Sequence, residues 1–309
     1  MNDQENGVKR AVVVGAVGST EILLKALNRS PDWRTVMLVT LPDELSRRHS
    51  DFVDLAPLAE EGSATIHRTA KSDSAETRAA IKAAEPDYIF VVGWSQLCGP
   101  DFLALKPDGI IGYHPAALPR LRGRAAIPWT ILLDEKITAG SLFWLGEGTD
   151  DGDLLTQEYF HLATDETAET LYAKHMAALE AMLGRVLPQL ATGEEPRIVQ
   201  DDRYATWAAK RTPADGLIDW SRPAVEIDRL IRAVGRPYPG AFTHAASERL
   251  TVWQSHLVHG ENPYHAGAGQ IVSKTDDALV VQTGEGLLAL TDWDLDGNGP
   301  LRLHARLGD

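Results

Sequence analysis

Two kinds of segment alternate along the first 190 or so residues: short, almost uninterrupted apolar runs and longer amphipathic ones, with glycine or proline at the junctions. This alternation most constrains the fold. Apolar runs of four to eight residues suit strands covered on both faces, and the amphipathic stretches supply the covering helices. Residues 10–15 read as a strand ending in a glycine turn, and 19–26 as the helix that follows. Strands are predicted at 35–40 and 88–92, with a helix at 75–84 between them. Ile110 and Ile111 run directly into Gly112, Tyr113 and His114, and the apolar stretch 141–145 runs into a glycine-rich acidic loop at 146–153. The expectation is an α/β domain with a parallel, Rossmann-like sheet. The turn GAVGS lacks the full GxGxxG spacing, and no P-loop lysine follows it.

The second part of the chain has a different texture. A long helix is predicted over 167–190, with Thr164 or Asp165 as cap and Pro188 and Gly193 at its end. Residues 191–200 read as a connection. Strand-like pieces at 250–254, 269–272, 279–282 and 287–290 are separated by glycine, aspartate and asparagine turns, with a helix at 224–234. Short strands with such turns predict a compact antiparallel or barrel-like second domain. The expected division is 1–204, including the connection from about 191, and 205–309.

Charge narrows the partners. Against 30 Lys and Arg stand 44 Asp and Glu, a formal charge of −14. Arginines cluster only at Arg47 and Arg48 and at Arg120, Arg122 and Arg124, so the basic track that nucleic acid needs is absent and nucleic acid is disfavoured. No apolar stretch reaches the roughly 20 residues of a membrane span, and residues 1–10 lack the apolar core of a signal peptide. A single cysteine, Cys98, excludes a disulfide framework and suits a reducing compartment, so a cytoplasmic location is expected. Nothing in the pattern settles oligomeric state, and a homodimer stays open.

The chemistry centres on His114, placed between an apolar strand and Pro115 in GYHPAALPRLRG. Imidazole titrates near neutrality and passes protons during acyl transfer. Asp150 lies in GEGTDDGD, where a carboxylate can orient the imidazole; Glu147, Asp151 and Asp153 compete as solvated loop carboxylates. If the loops after successive strands gather in one cleft, Trp94, Ser95 and Gln96 join them. Ser95 has no GxSxG elbow, and Cys98 reads as a small buried hydrophobe. His256, His259 and His265 lack a metal-ligand spacing, so no metal is expected.

Residues 109–157 resemble the core of the folate-dependent formyltransferases, a family that includes methionyl-tRNA formyltransferase, amino-sugar N-formyltransferases and the hydrolase domain of 10-formyltetrahydrofolate dehydrogenase. The matching elements, in order, are His114, Leu118-Pro119, Arg122-Gly123 and Asp150-Asp151-Gly152. Residues 211–242 are similar to the family's passage into its C-terminal, OB-type barrel. The resemblance implies N10-formyltetrahydrofolate as formyl donor and His114 and Asp150 as the catalytic pair. It sets the pterin against Trp94, Ser95, Gln96 and Leu97 and against Glu147, Gly148 and Thr149. Gly112, Tyr113, Arg122 and Arg124 are expected on the acceptor side, where solvated, structural arginines are the plainer alternative.

One position departs from the family. Most relatives carry Asn-x-His, and this chain has Gly112-Tyr113-His114, which removes a side-chain donor for the formyl oxygen. Loss of such a donor costs about 3 kcal/mol unless another group replaces it. The hydrolase domain also tends to lack the asparagine, so formate release stays open beside transfer. The end at Asp309 leaves no room for that enzyme's carrier and dehydrogenase parts. PYPGAF at 237–242 and LTVW at 250–253 are similar to segments of nucleotide-linked amino-sugar formyltransferases, which makes such a sugar the expected acceptor. Methionyl-tRNA fits the acidic balance less well, and a folate-binding module without turnover is the non-enzymatic alternative.

Overall fold

The computed structural model describes residues 7–48, 51–297 and 299–308. The expectation for residues 1–10 therefore falls partly outside the described residues, as do the side chains of Arg47 and Arg48. The chain forms two compact units. The first holds the chain through Ala126 with Ile137–His161 and Ala173–Ala208; the second holds Ile127–Lys136, Leu162–Tyr172 and the chain from Ala209 onward.

The first unit begins with β1 (Lys9–Val14), α1 (Gly18–Arg29), β2 (Trp33–Thr40), α2 (Ala56–Glu61), β3 (Thr65–Arg68) and α3 (Ala75–Ala83). Next come β4 (Tyr88–Val91), α4 (Pro100–Leu103), β5 (Ile110–His114) and the two-residue β6 (Arg122–Gly123). After α5 (Ala126–Leu132), which belongs to the second unit from Ile127 onward, follow β7 (Ile137–Trp144), β8 (Leu154–His161), α6 (Ala168–Ala191), whose first residues through Tyr172 also belong to the second unit, and β9 (Trp207–Ala208). The main sheet has the order β3-β2-β1-β4-β5-β7-β8. Along β1, Ala11 and Val13 pack into one core with Leu23 and Leu27 of α1 and Leu183 of α6. Val12 and Val14 pack into another with Ile81 of α3 and Phe102 of α4. Cover on both faces is why these strands are continuously apolar.

The sheet is not wholly parallel. The first five strands in that order run the same way, but β7 is antiparallel to β5, with His114 opposite Ser141, and β8 is antiparallel to β7. The acidic loop therefore leaves β7 beside the start of β5, where the Leu145 N–H donates to the Ile110 carbonyl. It meets His114 by folding back along β5, not by projecting from the common carboxyl end. Pro188 lies inside α6, one turn from its end.

In the second unit, α7 (Ala224–Val234) precedes β10 (Ala241–Ala245), β11 (Glu248–Val258), β12 (Ile271–Lys274), β13 (Leu279–Gln282) and β14 (Leu287–Leu295). The sheet is antiparallel, in the order β10-β11-β14-β13-β12. The last residues join its two edges. Leu307 bridges Ala245 at the end of β10 and donates its N–H to the Gly269 carbonyl, while Arg306 bridges Gln270 ahead of β12. With both edges paired by one segment, the sheet closes into a small barrel.

Candidate active site

His114 ends β5 with its side chain buried. Its Nε2 lies 2.7 Å from the Leu121 carbonyl oxygen, which only accepts, so Nε2 carries a proton and donates it. Nδ1 faces the other way, 3.5 Å from Asp150 Oδ2. The same carboxylate oxygen accepts the Gly123 N–H at 2.8 Å. Asp150 has left-handed backbone, φ 51°, a conformation that aspartate tolerates better than most residues.

A polar clasp holds the aspartate loop from behind. Gln200 Nε2 donates to the carbonyls of Asp150 and Gly152 at 2.9 and 2.7 Å. Its Oε1 accepts from Arg122 Nε and Nη2, and Arg122 Nη2 also reaches Asp202 at 2.8 Å. Arg122 is buried with its guanidinium committed to these partners, which departs from the acceptor-side place expected for it. Arg124 is exposed. At Gly152 any Cβ would collide with the Trp144 carbonyl, so only glycine lets the loop return this closely to β7.

A cavity of about 110 Å³ lies between the segment after β4 and the 145–150 stretch of the acidic loop, floored by Gly112 and Tyr113. Trp94, Gln96, Leu97, Gly148, Thr149 and Asp150 line it. Ser95 and Glu147 are exposed and do not. Trp94 is fixed by donation to Ser72 Oγ at 2.9 Å, and Gln96 by donation to the Ala70 carbonyl at 2.7 Å. Leu97, 80% exposed, forms the rim. Cys98 lines the wall, partly buried and packed against the core of β1, β2 and β4, as a small hydrophobe. Burial, then the charge of Asp73, pushes its thiol up to about 12, which keeps it protonated at neutral pH. Among the described residues, no three His, Cys, Asp or Glu side chains are grouped to hold a metal.

The space beside Gly112 is taken. A Cβ there would lie 2.6 Å from Leu145 Cδ1 and 3.0 Å from the Phe143 ring, so a side chain at this position requires the end of Leu145 to move. Behind β5, the Tyr113 hydroxyl donates to the His175 carbonyl at 3.2 Å and lies 3.3 Å from His175 Nδ1. Burial, with the nearby His114 as a lesser cause, pushes His175 down to about 3, so it is neutral.

The family model described as "Formyl transferase" matches residues 9–187, and "Formyl transferase, C-terminal domain" matches 210–307. The chain belongs to the formyltransferase family. Solved formyltransferase structures share its fold at low identity. The N-formyltransferase of Helicobacter canadensis, in complex with folinic acid and dTDP-3-aminofucose, is 15% identical with a TM-score of 0.66, over 93% of this chain and 100% of that one. Methionyl-tRNA formyltransferase of Clostridium thermocellum is 17% identical with a TM-score of 0.63, over 94% of this chain and 100% of that one. HypX of Aquifex aeolicus, in complex with tetrahydrofolic acid, is 15% identical with a TM-score of 0.65; the match covers 94% of this chain but only 44% of HypX.

Sequence reasoning missed Phe143, Leu145, Gln200 and His175. Phe143 and Leu145 belong to the apolar stretch before the acidic loop, so a signal was present: two residues apart on one face, both lie beside Gly112 of β5. Gln200 had none, because it acts across about 50 residues of chain.

Proposed function

We propose that this formyltransferase moves the formyl group of N10-formyltetrahydrofolate to the primary amine of a small acceptor, a nucleotide-linked amino sugar. The carrying observation is the orientation of His114: Nε2 is spent on Leu121, and Nδ1 is turned toward Asp150 beside a cleft. The neutral amine attacks the formyl carbon, giving a tetrahedral intermediate with a negative oxygen and a positive nitrogen. Nδ1 of His114 takes the amine proton. The imidazolium is stabilised by the Asp150 carboxylate and the Leu121 carbonyl, then returns the proton to the folate nitrogen as the C–N bond breaks. Gly112 has no side-chain donor for the oxyanion and its backbone lies in the strand ladder between Val91 and Phe143, so we assign that interaction to the protonated His114.

The cleft suits the flat end of the donor. Its walls mix apolar Leu145 and Val91 with polar Gln96 and Thr149. The folate ligands of the H. canadensis and A. aeolicus proteins support the choice of donor, and the dTDP-sugar of the former supports the acceptor class. We place the chemistry in residues 1–204 and the barrel in 205–309. The lone cysteine supports a cytoplasmic site of action, and among the described residues no helix is long and apolar enough to cross a membrane.

Hydrolysis is the second reading, favoured by the filled space at Gly112. One assay separates the two. The protein is incubated with 10-formyltetrahydrofolate, with and without amino-sugar nucleotides, and tetrahydrofolate, formate and N-formyl product are followed by mass. Product formed only with acceptor supports transfer. Equal formate in every tube replaces transfer with hydrolysis, and folate binding without turnover removes both.

A further inference from the structure

At about 110 Å³ the cleft is far smaller than the roughly 300–1,000 Å³ that encloses a drug-sized ligand, so the body of a nucleotide-linked acceptor must lie on the surface beyond His114 and Asp150. The 200–208 segment holds the Asp150 loop and the 119–124 stretch that carries the Leu121 carbonyl bonded to His114. Gln200 holds the aspartate loop through the carbonyls of Asp150 and Gly152. Thr206 accepts the Leu121 N–H on its hydroxyl at 2.9 Å and the Arg122 N–H on its carbonyl at 2.9 Å, and its own N–H donates to the Pro119 carbonyl. β9 pairs with β6, setting Trp207 beside Arg122 and Ala208 beside Gly123, the residue whose N–H holds Asp150.

In a segment held this firmly, two aromatic rings remain in water. Trp207 is 67% and Tyr204 65% exposed. An indole on a fixed backbone has only two side-chain torsions to lose on binding, which makes it a low-entropy surface for a planar ligand. Arg124 is exposed as well, and its N–H donates to the carbonyl of Ala208, the residue next to Trp207. A flat apolar face and a cation on adjoining strands of chain match a heteroaromatic base joined to phosphate.

We infer that Trp207 is the acceptor platform, stacking the base of the nucleotide-linked amine while Arg124 meets its phosphates. This rests on the formyl-transfer reading and adds to it the residue that selects a nucleotide over a bare amine. Trp207 acts on binding and takes no part in proton transfer. Loss of one base–aromatic stack corresponds to roughly a ten- to hundredfold weaker acceptor.

The test compares the full chain with Trp207→Ala, Trp207→Phe and, as control, Tyr159→Ala, another exposed ring of the same unit, on β8. Trp207→Ala should raise acceptor KM ten- to a hundredfold with kcat and donor KM nearly unchanged, Trp207→Phe should restore most of the loss, and the control should match wild type. Independently of turnover, dTDP or UDP should quench wild-type tryptophan fluorescence more than that of Trp207→Phe. An unchanged acceptor KM in Trp207→Ala overturns the platform and leaves formyl transfer standing. A Trp207→Ala protein that only changes oligomeric state also overturns it and gives the ring to a second copy. If wild type transfers to no amine, the formyl-transfer reading fails, and the fluorescence difference alone decides whether Trp207 holds a nucleotide.

Discussion

His114 has one nitrogen committed to a carbonyl and one left for chemistry, and replacing it removes both functions at once. His114→Ala should lower kcat by 10² to 10⁴-fold, the range of a lost general acid–base, while donor affinity stays within a few fold. Single-turnover formation of tetrahydrofolate checks this, and near-wild-type turnover would end the catalytic role. Gly112 gives a second prediction at this scale. An asparagine there has the family's chemistry but must move the end of Leu145, because Leu145 Cδ1 and the Phe143 ring already lie 2.6 and 3.0 Å from where its Cβ would stand. Gly112→Asn alone should lower kcat/KM for the donor about tenfold or more through overpacking. Adding Leu145→Ala should recover part of that loss, since it clears the nearer contact. A faster single variant would mean that the wall yields and that the site lacks a side-chain oxyanion donor.

Between elements, α6 meets β5 through a histidine that stays neutral in the folded state near neutral pH. His175 is fully buried, Phe160 packs edge-on to its ring, and among the described residues its Nε2 has no partner. Its value of about 3 lies below the ordinary 6.5 because burial disfavours the imidazolium, with His114 adding to the effect. Between pH 6.5 and about 3 the unfolded chain therefore binds the extra proton and the folded chain does not. The neutral ring costs nothing above pH 6.5, and stability falls as the pH drops below it, by up to about 1.4 kcal/mol per unit. Urea unfolding of wild type and His175→Gln from pH 4 to 7 should show a shallower acid loss in the variant; parallel curves would refute the assignment. The elements legible in the sequence were those with one strong period. The buried runs 11–14 of β1, 37–39 of β2 and Tyr88–Val91 of β4 are apolar because both faces are covered, and α7 matches its predicted bounds. β3 and β8 escaped notice because they are the two edges of the sheet, where one-sided cover lets polar residues such as His67, Gln157 and Glu158 interrupt the run. The direction of β7 was hidden too, since periodicity reports burial and carries no sense of direction. His114 and Asp150 were legible as motif residues with glycine or proline neighbours. The Arg122–Gln200 clasp was not, because it joins residues 78 apart in sequence.

At the scale of the whole molecule, a charge of −14 decides what kind of anion the site can hold. A polyanion such as tRNA is held by many phosphate contacts, each releasing counterions, so six to ten contacts weaken binding by about 10³ to 10⁵ between 50 and 200 mM salt. In this chain the buried Arg122 is already spent on Gln200 and Asp202, and Arg203 on Asp201, which leaves the exposed Arg124 without a long basic track around it. A nucleotide sugar brings two phosphates and needs little more. Raising salt from 50 to 200 mM should therefore raise acceptor KM only a few fold, and methionyl-tRNA at the same concentrations should yield no formylated product and no gel shift above the non-specific level. A steep salt dependence with tight tRNA binding would show that a local field overrides the total charge. The acceptor class would then have to change, while the proton chemistry of His114 and Asp150 would stand as it is.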